Sequence, residues 1–239
     1  MDTKLKKYTD CSEEELVAGA KEFARMAHNG QKDKGGKSYF SSHITAVADG
    51  VDTPIEKAVA YLHDVIEDTE YTAEDLRAMF PCEVVDVVEV LTRQDSEFDD
   101  EEYAEYVWRV HQNPIATKVK LSDLRNNMDL SRLAKEPTRK DLQREAKYLR
   151  AYKMLDGRHS HTAVNPYALR KHLVDTGWRK ASRSREIYEA PESIGVSAMI
   201  YIPTDMTNDD FDFAMRKALN ILSDCEKTSI SKLVDVLLA

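Results

Sequence analysis

Cysteine is scarce: the 239 residues hold three, Cys11, Cys82 and Cys225, with no CxxC pair among them. So odd and scattered a set supports neither a disulfide framework nor a thiolate zinc site. It fits the reducing cytoplasm. Apolar runs are short, and none approaches the roughly 20 residues of a membrane span. The N-terminus, Met1 to Lys7, leads into polar residues without the apolar core of a signal peptide, so no membrane association is expected. Basic charge is in deficit, with 34 Lys and Arg against 43 Asp and Glu for a net charge of −9. This disfavours bulk binding to nucleic acid but leaves room for a local basic pocket that takes one phosphorylated ligand. The chain also lacks internal repeats and low-complexity tracts.

What is present is a foldable mixture: 42% apolar and 32% charged residues can bury a core. At about 150 residues per domain, the length suits one large domain or one medium and one small. The first two-thirds reads as helices. Ser12 with Glu15 forms a capping box, and Leu16, Ala20, Phe23, Ala24 and Ala27 follow at helical spacing. A polar loop spans Asn29 to Ser38. Thr53-Pro54-Ile55-Glu56 is a second helix start, with proline at the first position and glutamate at the third. Further helices are expected after Thr72, over Val84 to Leu91, Asp99 to Gln112 and Pro114 to Met128, and from Thr138 with Asp141.

The texture changes at Asp156 to His161, which sets an expected boundary between a domain at 1–157 and a module at 158–239. The module reads as helix (Tyr167 to Thr176), strand (Lys180 to Glu189), strand (Val196 to Ile202), helix (Asn208 to Glu226) and a short helix from Ser229. The fold class is therefore mainly α with a small C-terminal α+β module. Arg179, Lys180, Arg183 and Arg185 cluster around Trp178, either as charges on a strand edge or as a binding patch. The module is a candidate for binding a protein or regulator.

The segment richest in chemistry is His63-Asp64-Val65-Ile66-Glu67-Asp68. Placed on the helix begun at Thr53, at about 100° per residue, it brings two metal-ligand types and two further carboxylates to one helix end. Acids at a C-terminal helix end oppose the dipole, and a bound cation would compensate. A solvated acidic helix end accounts for the same pattern. His43 upstream and Asp123 downstream extend the candidate set to two nitrogens and two carboxylates without sulfur. Such a set suits manganese, iron(II), cobalt or zinc. It leaves positions for water and a phosphate oxygen, so the ion could form hydroxide and polarise a phosphoryl group.

The order His43, His63-Asp64, Asp123 resembles the HD-domain metal phosphohydrolases. Within them, Ala27-His28-Asn29-Gly30-Gln31-Lys32-Asp33-Lys34, Leu62 to Thr69 and Lys120-Leu121-Ser122-Asp123-Leu124 are similar to the hydrolase domain of the RelA/SpoT homologues and the small alarmone hydrolases. The likeness covers about residues 13–155 of the sequence. It implies manganese-dependent removal of the 3′-pyrophosphate from guanosine tetra- or pentaphosphate by a metal-bound hydroxide. It also implies that His43, His63, Asp64 and Asp123 hold the metal, while Glu67 and Asp68 handle protons of the attacking water and leaving group. Lys34 and Asn127 match nucleotide-contacting positions, Arg132 closes the matched run as a substrate contact, and Tyr39 lies near a tyrosine of the family motif. His28 is expected to be a supporting, hydrogen-bonded histidine.

The chain departs from the family pattern at Ile44, where proline is usual, and in a loop from Gln31 to His43 that is one residue longer. It departs again at Asp33, where an arginine often stacks on guanine. The last difference motivates the same chemistry on an adenosine alarmone, a nicotinamide nucleotide phosphate or a pyrophosphorylated RNA 3′ end. A toxin-neutralising interaction protein is the alternative of another class. The family's second catalytic domain, a synthetase, finds no counterpart in the sequence, so a one-way hydrolase is expected.

Overall fold

A computed structural model describes residues 7–9, 11–93, 102–157, 161–181 and 186–238. Its first unit gathers the described residues up to Arg93 together with Arg109–Pro137. Its second gathers Glu102–Trp108 and the described residues from Thr138 onward. The division after Pro137 precedes the composition change at 157, so the long helix after Thr138 groups with the second unit.

In the first unit, α1 (Glu13–Ala27) starts at the expected capping box of Ser12 and Glu15. Its apolar face buries Leu16, Ala20, Phe23 and Ala24. A π-helical turn, Phe40–Ile44, leads into α2 (Thr45–Asp49). Then α3 (Pro54–Leu62) starts at the Thr53 and Glu56 box. α3 is the central helix of the unit: α1, α2, α6 and α8 all pack on it, and Ala58, Val59, Ala60 and Leu62 are fully buried. Burying a side chain of leucine size stabilises by about 1.5–3 kcal/mol.

One-turn helix α4 (Val65–Asp68) follows, then α5 (Ala73–Arg77) from its Thr72 and Asp75 box, and α6 (Cys82–Leu91). Valine-rich α6 is helical, as its neighbours suggest. Its last carbonyls are closed by Arg109, which donates to Val90 O at 2.6 Å and Thr92 O at 3.0 Å. Helix α7 (Tyr103–His111) divides between the two units after Trp108; the start expected at Asp99 lies outside the described residues. α8 (Pro114–Met128) begins at Asn113, whose Oδ1 accepts from Ile115 N and Ala116 N.

Gly50, just after α2, lies so close to α8 that a Cβ there would stand 2.1 Å from Ser122 Oγ. The same Ser122 hydroxyl donates to Val47 O at 2.9 Å. This close seam sets the His43 turn beside Asp123.

In the second unit, α9 (Arg139–Leu155) starts at Thr138 and Asp141, and α10 (Pro166–Asp175) at Asn165. The single strand expected over Lys180 to Glu189 is instead two, β1 (Arg179–Lys180) and β2 (Ile187–Glu189), with residues 182–185 outside the description. With β3 (Met199–Tyr201) they form an antiparallel sheet of order β1-β2-β3, pairing Lys180 with Tyr188 and Tyr188 with Ile200. α11 (Phe211–Glu226) and α12 (Ile230–Leu238) complete it. Trp178 is buried, whereas Arg179 and Lys180 are exposed; Arg183 and Arg185 fall outside the described residues. No helix among the described residues is long and apolar enough to cross a membrane.

Candidate metal centre

The expected continuous helix through Asp68 does not form. α3 ends at Leu62, and Asp64 adopts φ −102°, ψ 1°, which interrupts the helical rotation before α4. A local reason is visible at His63, whose Nδ1 lies 2.7 Å from Ala60 O and satisfies a carbonyl at the helix end. Glu67 and Asp68 consequently lie in the first turn of α4, not at the C-terminal end of α3.

The break turns His63 and Asp64 toward the same point. Donor atoms of His43, His63 and Asp64 lie within 4.8 Å of one another. Asp64 Oδ2 is 3.3 Å from His43 Nε2 and 3.1 Å from His63 Nε2. Asp123, from α8, brings Oδ1 to 3.3 Å from His43 Nε2 and 4.0 Å from His63 Nε2. Four side chains from three stretches of sequence therefore converge. His43, His63 and Asp123 are buried.

The donor set is of a kind that could hold a cation. Ala60 O and Asn126 Oδ1 occupy the two Nδ1 positions as acceptors, at 2.7 Å each. Both rings therefore carry hydrogen on Nδ1, and a neutral ring presents a bare Nε2 to the carboxylates. His63 Nε2 is buried without a hydrogen-bond partner. Burial opposes charge on His43, but Asp123 and Asp64 more than offset it and push its pKa up to about 10. His63 is raised too, against its burial, by the charges of Asp64 and Asp123. Asp64 is held well below the usual carboxylate range despite burial, chiefly by His63 and His43. Asp123 is also lowered against its burial, with Lys120 as the strongest lowering influence. A divalent ion in place of those protons on Nε2 would take up two imidazole nitrogens and two carboxylates at once, so these residues fit a metal.

Around this centre, Tyr39 Oη donates to Asp64 Oδ2 at 2.6 Å. Lys120 Nζ pairs with Asp123 Oδ2 at 2.7 Å, and Asn127 Nδ2 donates to Asp123 Oδ1 at 2.5 Å. Buried His28 lies 2.8 Å from Gln31 Oε1 through Nδ1, and Gln31 Nε2 donates to Asp68 O at 2.8 Å. His28 is thus hydrogen-bonded, as expected.

Glu67 and Asp68 reach solvent. Partial burial, reinforced by the Asp64 charge, raises both carboxyls above their usual range. Glu67 Oε2 accepts from Arg93 N at 3.4 Å. Lys34 is exposed in the turn that follows Asp33.

Arg132 does not reach into open space. It pairs with Asp33 Oδ2 at 3.1 Å and donates to Asn126 O at 3.0 Å and to Asn126 Oδ1. Asp33 also accepts from Gly35 N and Lys37 N, both at 2.9 Å. Against its burial, bonds from Ser42, Arg132 and Lys37 hold its carboxyl at about 2. Sequence reasoning passed over Asn126, the acid-binding role of Lys120 and the Tyr39 contact. Tyr39, four residues before His43, carried the only readable signal.

The helical arrangement matches a solved structure. The chain aligns with a protein described as a metazoan ortholog of SpoT that hydrolyzes ppGpp, at a TM-score of 0.52 and 19% identity, over 68% of this chain and 96% of that one. The fold is thus the mainly helical one of that structure, with a small C-terminal module. No protein-family model matches the chain. In sequence it is 33% identical over 138 residues to a GTP pyrophosphokinase of Streptomyces coelicolor, covering 54% of this chain and 16% of that protein. It is 27% identical over 138 residues to a guanosine-3′,5′-bis(diphosphate) 3′-pyrophosphohydrolase of Aquifex aeolicus, covering 55% and 20%. The chain is similar to these proteins over part of its length, and the aligned stretch spans a fifth or less of their own length.

Proposed function

We propose that the first unit is a metal-dependent pyrophosphohydrolase that removes the 3′-pyrophosphate of a guanosine tetra- or pentaphosphate in the cytoplasm. His43, His63, Asp64 and Asp123 would hold the ion, with manganese the first candidate. A divalent ion there supplies Lewis acidity toward a phosphoryl oxygen and lowers the pKa of a water. The observation that carries the reading is the convergence of both Nε2 atoms on Asp64 and Asp123. The activities by which the Aquifex relative and the SpoT ortholog are described support the substrate class.

The chain's own residues supply proton handling and positioning. Glu67 and Asp68, with carboxyls raised by partial burial and by Asp64, suit general acid–base work. One takes a proton from water as its oxygen bonds to phosphorus. The other donates to the ribose 3′-oxygen as the P–O3′ bond breaks, leaving pyrophosphate and a 3′-hydroxyl. Exposed Lys34 would meet a phosphate, and Asn127, beside Asp123, would meet the nucleotide.

The deciding experiment measures pyrophosphate release from guanosine tetraphosphate with manganese, for wild type, Asp64→Ala and Glu67→Ala. Activity in wild type and loss in both variants supports the reading. An inactive wild type that still binds one ion overturns the substrate.

A second reading changes only the nucleotide. Asp33, at the position where the family often has a guanine-stacking arginine, is committed to its own loop and to Arg132. A panel with an adenosine alarmone, a nicotinamide nucleotide phosphate and a pyrophosphorylated RNA 3′ end tests it. Turnover of one of these without turnover of guanosine tetraphosphate selects it.

A further inference from the structure

We infer that Asp33, Arg132 and Asn126 are positioning residues that set the orientation and tautomer of His43, so that its Nε2 meets the metal bare. The inference rests on the metal centre proposed above and gives Arg132 a task other than holding substrate.

The two imidazoles of the centre are oriented by different means. His63 Nδ1 faces Ala60 O, a main-chain carbonyl that can only accept. His43 Nδ1 faces the end of an asparagine side chain, which accepts or donates according to how the amide is turned. Turned one way, it places hydrogen on His43 Nδ1. Turned the other, it donates to Nδ1 and drives hydrogen onto Nε2, where it blocks a metal.

Arg132 selects between these states. Its guanidinium offers donors only. It faces the same end of Asn126 that faces His43, so that end must be oxygen. The amide nitrogen then points at Ser42 O, 3.4 Å away, an acceptor that agrees with the choice. Nδ1 of His43 consequently carries hydrogen, which leaves Nε2, 3.3 Å from both Asp64 and Asp123, as the nitrogen available to a metal.

Asp33 holds Arg132 in place. Its side chain is 4% exposed, and its Oδ2 pairs with the guanidinium. The loop and Arg132 also touch through their backbones. A Cβ at Gly35 would stand 2.3 Å from Arg132 O, so only glycine allows this approach. The relay thus runs from the loop of Lys34 to the metal ligand.

The test is manganese affinity of the full chain, read from the electron paramagnetic resonance of unbound ion, with folding followed by thermal melting. Arg132→Met should weaken binding about 10-fold or more, within the range seen for partners of ligating histidines. Asn126→Asp should restore affinity in the Arg132→Met background, because a carboxylate presents oxygen whichever way it is turned. A merely structural role for Arg132 would not be rescued this way. Asp33→Asn, a milder change, should weaken binding by a smaller factor in the same direction. Wild-type affinity in folded Arg132→Met, or failure of Asn126→Asp to rescue it, overturns the inference alone. Absence of manganese binding by wild type overturns the metal centre and the inference with it.

Discussion

The Tyr39 phenol and the Asp64 carboxylate are joined by a 2.6 Å hydrogen bond, on the same oxygen that faces His43 and His63. Burial and the Asp64 charge keep the phenol protonated well beyond its usual range, so it is a permanent donor. It leaves Asp64 with a defined direction in which to offer its remaining lone pairs.

Tyr39→Phe should therefore reduce pyrophosphate release and manganese affinity by about 10-fold, as loss of a group that orients a metal ligand does. The ring stays, with its packing against His43 at 4.9 Å between centroids. The melting temperature should move little. A variant with wild-type affinity and turnover would show that Asp64 needs no such guide.

Glu67→Gln should separate chemistry from metal binding. Glu67 lies in α4, and its carboxylate is bonded to Arg93 N while the ligand donors converge elsewhere. Turnover should fall by about 10²- to 10⁴-fold, the usual worth of a general acid or base. Manganese affinity should stay within about threefold of wild type, since no ligand is lost. A parallel fall in both quantities would place Glu67 on the ion instead.

The legible part of this protein was the part written in local rules. The boxes at Ser12, Thr53, Thr72 and Thr138 mark helix starts, because side chain and backbone donor are three residues apart in the chain itself. The residues His43, His63, Asp64 and Asp123 could be collected by type. Their convergence depended on a break at Asp64 that propensity does not announce, since Val65 to Asp68 continue an acceptable helical pattern. Asn126 was illegible for another reason. Its partners are His43 and Arg132, 83 and 6 residues away, and an amide in a helix reads as surface until both are placed. Asp33 read as a lost arginine, whereas its contacts show a carboxylate closing its own loop.

Gly50→Ala should destabilise the first unit. Its Cβ would stand 2.1 Å from Ser122 Oγ and 3.1 Å from Ser122 Cβ, in the seam that seats the His43 turn beside α8. Overpacking of this kind costs about 1–3 kcal/mol. Chemical denaturation of both proteins measures it. Gly50→Ala with Ser122→Ala should recover part of the loss by removing the hydroxyl that clashes; no recovery would place the strain elsewhere.

Glu56 links helix capping to pH. Buried in the α3 box, it accepts from Asp52 N at 3.1 Å and Thr53 N at 3.0 Å and pairs with Lys118 Nζ at 2.6 Å. Burial alone would raise its carboxyl, but Lys118 and the two N–H donors bring it from 4.5 down to about 2. A folded-state pKa below the unfolded one means the charged form stabilises the fold. That contribution is complete above the unfolded pKa of 4.5 and is lost as pH falls toward about 2. Lys118 is 57% exposed, so solvent screening discounts the pair. Glu56→Gln should accordingly lower stability by about 1–2 kcal/mol at neutral pH. In urea titrations at pH 7, 5 and 3, the gap between wild type and variant should hold from about pH 7 to 5 and narrow at about pH 3. A gap that stays constant across that range would mean the glutamate acts by shape alone, and that its charge adds nothing to the helix start it caps.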